Sequence, residues 1–108
     1  MLKADLAPLL ERISRLLKNR SADPGKPLVT EMEDTLTDGY ARALQLEAER
    51  LRLERRIGEL ARSVDGPEEA DELKALAGRL RDVNVELEGL RDRLGLLQKH
   101  LAAVRAAA

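Results

Sequence analysis

The chain has 108 residues, a formal net charge of -1 and charged side chains at 36% of positions, but no cysteine and a single aromatic residue. The lack of cysteine excludes disulfides, thiolate catalysis and cysteine-based zinc sites, and the balanced charge disfavours a general nucleic-acid binder. Charges interrupt the apolar start of the chain, and no run of about 18 apolar residues occurs, so we expect neither a secretory signal nor a membrane span. This composition predicts one cytoplasmic all-α domain covering residues 1–108.

The first predicted helix spans residues 6–20. Asp5 can cap it, and Pro8 falls in its first turn, where a backbone N–H has no helical partner. Apolar side chains form one broad face at helical spacing: Leu2, Leu6, Leu9, Leu10, Ile13, Leu16 and Leu17. Basic residues on the same segment leave a membrane-surface helix open as an alternative, which the lack of tryptophan and phenylalanine disfavours.

Two longer helices follow. Residues 21–29 contain two prolines and a glycine and predict a loop, after which a capping box formed by Thr30 and Glu33 predicts the start of a helix over 30–64. Residues 65–67 predict a turn, with Gly66 in a left-handed conformation and Pro67 suited to the first turn of the next helix. The last helix is predicted over 68–106.

Apolar positions on both long helices recur three and then four residues apart, which is the spacing of a coiled-coil seam. The first ladder consists of Val29, Met32, Leu36, Gly39, Ala43, Leu46, Arg50, Leu53, Ile57, Leu60 and Val64. The second consists of Leu73, Leu76, Leu80, Val83, Leu87, Leu90, Leu94, Leu97, Leu101, Val104 and Ala108. Folding at the turn pairs them in reverse order without a skipped residue, which predicts a long antiparallel coiled-coil helical hairpin.

Charges beside the seam give a second test of this register. Pairing e with e and g with g positions produces five pairs of opposite charge: Arg42 with Glu86, Glu49 with Arg79, Arg56 with Glu72, Glu47 with Arg91, and Glu33 with Arg105. A nearer diagonal would produce like-charge pairs: Arg42 with Arg93, Glu49 with Glu86, and Arg56 with Arg79. The sequence leaves the choice between these contacts open.

A second apolar line lies beside the seam of the second helix. It consists of Tyr40, Leu44, Ala48 and Leu51. We expect the first helix to cover it, which makes the open end of the hairpin a three-helix bundle. Only two helices remain at residues 51–85, and two helices bury little apolar area, so we expect the chain to self-associate as a homodimer.

No individual residue of the sequence indicates catalysis or the binding of a metal or cofactor. Arg50 replaces an apolar seam residue opposite Val83, and we expect it to reach solvent and fix register or partner choice, with a buried anion site as the alternative. Gly39 faces Leu94 and is expected to relieve packing, and the single histidine, His100, is expected at the surface. Because no phosphate-binding loop, nucleophile motif or calcium loop occurs, we expect no enzyme activity, cofactor or metal.

The turn is followed by a cluster of acids. Five carboxylates lie within it or just after it: Asp65, Glu68, Glu69, Asp71 and Glu72. One interpretation is that these acids stabilise the N-terminus of the last helix, and the other is that they form an acidic hairpin tip that binds a partner.

The segment around the turn resembles the hairpin tip of Gre-type transcript-cleavage factors, which insert a helical hairpin into the secondary channel of RNA polymerase. That family has Ala-Arg, two residues, Gly-Asp, two residues and Glu-Asn-Ala-Glu-Tyr. This chain has Ala61-Arg62, two residues, Asp65-Gly66, two residues and the segment 69–73, Glu-Ala-Asp-Glu-Leu. The order of glycine and aspartate is reversed, so Gly66 stands where the family has its metal-holding acid. The resemblance implies a transcription regulator acting through an acidic tip.

From these patterns we expect a non-enzymatic coiled-coil interaction or oligomerisation protein that presents helical surfaces to a protein partner as a homodimer. The two alternatives are a transcription regulator with an acidic tip and a peripheral membrane adaptor using the first helix. The candidate partner-binding residues are Asp65, Glu68, Glu69, Asp71, Glu72 and Arg50.

Overall fold

The computed structural model describes residues 2–19, 25–63 and 65–107, and within these ranges the chain forms helices and no strand. The helices are α1 (Leu2–Lys18), α2 (Gly25–Arg62) and α3 (Pro67–Ala107). α2 and α3 form an antiparallel helical hairpin, and α1 packs beside it, which confirms the predicted fold class. The interlocked side-chain packing that distinguishes a coiled coil stays a prediction.

The chain divides into two compact units. The base unit comprises Met1–Ala43 and Gly89–Ala108, and the tip unit comprises Leu44–Glu88. α1 therefore belongs to the base unit, whereas the tip unit contains only the parts of α2 and α3 next to the turn.

α1 starts earlier than predicted. It begins at Leu2 instead of residue 6, so Asp5 lies inside the helix and is not its N-cap. Residues 2–7 favour helix, and the helix includes Pro8 in its interior at the cost of one backbone hydrogen bond. The predicted end at residue 20 lies outside the described residues.

α2 also starts earlier than predicted. It begins at Gly25, so Thr30 lies inside the helix and the predicted capping box with Glu33 is wrong. Pro27 falls in the first turn, where its missing N–H would have had no helical acceptor, so it does not prevent an early start. The predicted loop 21–29 is therefore shortened from its C-terminal side, and residues 20–24 lie outside the described ranges.

The two long helices are separated by residues 63–66. α2 ends at Arg62, whereas Val64, where the predicted helix ended, lies outside the described residues. α3 begins at Pro67, in the predicted proline position, and the Gly66 carbonyl accepts a hydrogen bond of 3.1 Å from the Ala70 N–H. Gly66 does not have the predicted left-handed conformation, because it serves as the N-cap of α3 and not as the end of α2.

The base unit has a closed core. Its seam side chains are buried on both long helices: Met32, Leu36, Ala43, Leu90, Leu94, Leu97 and Leu101. Gly39 faces Leu94 as predicted, because a Cβ atom built on Gly39 would lie 2.2 Å from Leu94 Cδ2. This contact places the two residues in the same layer of the seam.

The tip unit has a thinner core. Its buried seam residues are Leu46, Leu60, Val83 and Leu87, whereas the half-buried ones are Leu53, Ile57, Leu73, Leu76 and Leu80. Two helices leave both sides of a seam open to solvent, and no third helix of this unit covers either side.

Three of the five predicted charge pairs are formed. Arg79 Nη2 lies 2.8 Å from Glu49 Oε1, and Arg56 Nη2 lies 3.1 Å from Glu72 Oε1. Arg105 also forms an ion pair with Glu33. These contacts confirm the predicted register at three places. The predicted contact of Glu86 with Arg42 is wrong, because both Glu86 carboxylate oxygens are buried and accept no hydrogen bond. The pair of Glu47 with Arg91 stays a prediction.

Candidate interaction surfaces

α1 packs on a different flank of α2 from the one predicted. In heptad notation the seam occupies positions a and d, with e and b on one side and g and c on the other. α1 contacts the g and c side: Arg12 Nη1 lies 2.9 Å from Asp38, Arg12 Nη2 donates to Thr35 Oγ1 at 3.0 Å, and Arg15 pairs with Glu31. The prediction that α1 covers Tyr40, Leu44, Ala48 and Leu51 is therefore wrong.

The apolar line on the e and b side is exposed. The exposed fraction is 44% for Tyr40, 67% for Leu44 and 49% for Leu51. Tyr40 donates its hydroxyl to Gln98 Oε1 of α3 at 2.8 Å, so its ring lies along the hairpin instead of under α1. The apolar line on this flank of α2 thus did not indicate the side on which α1 packs.

Thr35 is one of the residues at the α1 interface that the sequence interpretation missed. It is fully buried, accepts from Arg12 and donates to the Glu31 carbonyl oxygen at 2.7 Å, so its hydroxyl is satisfied on both counts. The available signal was charge: the acids Glu31 and Asp38 lie on one flank of α2 and face a basic helix. Opposite charge on that flank indicates the docking side better than apolarity does.

The remaining face of α1 is apolar and buried. Its buried side chains are Leu6, Leu9, Ile13 and Leu16. At the C-terminal end of α1, His100 Nε2 of α3 lies 3.2 Å from the Asn19 carbonyl oxygen. His100 is half-buried and not fully at the surface, because it contacts the end of α1.

Two of the five predicted tip acids have structural partners. Glu69 Oε2 accepts a hydrogen bond of 3.0 Å from the Asp65 N–H, and Glu72 binds Arg56 across the hairpin. The Glu69 contact satisfies a donor just ahead of α3, in the manner of a capping box. Glu68 and Asp71 are exposed at the start of α3. The geometry therefore favours helix capping for part of this cluster.

We expect Glu69→Ala to lower the free energy of unfolding by about 1 kcal/mol, because it removes the acceptor for the Asp65 N–H. Glu68→Ala is the matched control, and its effect should be smaller because Glu68 only complements the positive end of the helix. Chemical denaturation of both variants measures the difference. Equal losses would contradict the capping role of Glu69.

Arg50 reaches the edge of the seam. Its Nε lies 3.9 Å from Glu54 Oε1, one helical turn along α2, and its side chain is 37% exposed. Val83, which faces position 50 in the predicted seam, is fully buried. The partly exposed guanidinium agrees with the interpretation in which the side chain extends toward solvent, and a buried anion site is not required.

The described residues contain no group of three or more histidine, aspartate or glutamate side chains that could hold a metal ion. Within the same part of the chain no helix carries an apolar stretch long enough to cross a bilayer. Comparisons of the chain with protein-family models, curated proteins and solved structures found no match.

Proposed function

We propose that the protein is a non-enzymatic helical interaction protein that forms a homodimer through its tip unit and presents helical surfaces to a protein partner. The observation that carries this proposal is the half-buried seam of the tip unit. Leu53, Ile57, Leu76 and Leu80 lie in the middle of that seam, yet each keeps part of its side chain in solvent.

Burial of these side chains by a partner would be favourable. Full burial of a leucine or isoleucine side chain contributes about 1.5–3 kcal/mol relative to exposure, and about 25 cal/mol for each Å² removed from water. A two-helix layer must otherwise offset the conformational entropy of its ordered residues with little apolar burial. A second hairpin that completes a four-helix layer removes this deficit.

The base unit has less need of a partner. α1 covers one side of its seam, and the seam side chains from Met32 to Ala43 and from Leu90 to Leu101 are buried. The two units therefore differ in the quantity that drives helix association, the apolar area left in solvent. This difference supports an interface in the tip unit.

The two alternative functions receive less support. A membrane adaptor would need the apolar face of α1, but Leu9, Ile13 and Leu16 are buried. A transcription regulator would need a free acidic tip, but Glu69 and Glu72 have partners within the hairpin. We place the protein in the cytoplasm, in line with the cysteine-free sequence.

The test is the mass of the intact chain in solution. We expect light scattering at micromolar concentration to give about twice the 12.0 kDa of one chain, because two-fold pairing is the simplest closed assembly of such a hairpin. A mass of one folded chain across the micromolar range would contradict the proposal. Circular dichroism of the same sample verifies that the chain is helical.

A further inference from the structure

We draw no further inference here: the strongest candidate, the apolar patch around Leu44 and Leu51 on the e and b side of the tip unit, is exposed, and nothing in the structure shows what covers it.

Discussion

Gly39→Ala is expected to destabilise the protein by about 1–3 kcal/mol, because the added methyl group overpacks the base unit. Its Cβ atom would lie 2.2 Å from Leu94 Cδ2 and 3.2 Å from Leu94 Cγ. Leu94 is fully buried and has little room to move aside. The overpacking outweighs the helix propensity that alanine gains over glycine, about 1 kcal/mol.

Gly78→Ala is the matched control for this prediction. A Cβ atom at Gly78, in the interior of α3, would meet no heavy atom within 4 Å, so only the propensity gain remains. We expect this variant to be more stable by about 0.5–1 kcal/mol. Urea denaturation compares the two, and a stabilising Gly39→Ala would show that these helices do not approach each other closely at this layer. In a Leu94→Ala background the cost of Gly39→Ala should fall.

Leu16→Ala is expected to destabilise the protein by about 2–5 kcal/mol, because it opens a cavity beneath α1. Leu16 is 2% exposed, whereas the adjacent Leu17 is half-buried on the edge of the same helix. Leu17→Ala removes the same atoms from the same helix and is the matched control. Its cost should be clearly smaller.

Thermal and chemical unfolding of both leucine variants measure the difference. Equal, small effects would show that α1 contributes little burial to the base unit. That outcome would also return its apolar face to consideration as a membrane-binding surface. Equal, large effects would instead indicate that Leu17 is covered by a partner.

The proposed homodimer, formed through the tip unit, would leave the exposed part of the base unit accessible to a different protein. Tyr40 is 44% exposed on the base unit, although its hydroxyl is bound to Gln98. Self-association and partner binding thus need not compete for one surface.

The sequence by itself determined the hairpin and its register. The three-four spacing on two helices separated by a Gly-Pro turn has one antiparallel alignment without skipped residues. The flanking charges were compatible with this register but left two sets of contacts open, and the structure forms three of the opposite-charge pairs. The contacts between Gly39 and Leu94, Glu49 and Arg79, and Glu33 and Arg105 follow from this alignment. Because this pattern repeats at a fixed spacing along the chain, the residue numbers alone determine which seam positions face each other.

Local capping signals did not predict where α1 and α2 begin, because the residues before each signal can also form helix. Thr30 and Glu33 have the spacing of a capping box, but Gly25–Val29 also continue as helix because Pro27 is tolerated in a first turn. Each additional turn of α2 gains backbone hydrogen bonds and contacts. A capping signal inside a sequence that can continue as helix therefore gives a poor boundary.

Only the tertiary structure decided which flank of α2 receives α1. Both flanks offered an explanation: the line containing Tyr40 and Leu44 is apolar, whereas Thr35 and Asp38 lie on the other side. On the side that α1 occupies, the Arg12 guanidinium binds both the Thr35 hydroxyl and the Asp38 carboxylate while Ile13 and Leu16 are buried. The choice of flank depends on the summed free energy of these contacts, which form only when the two helices are packed together.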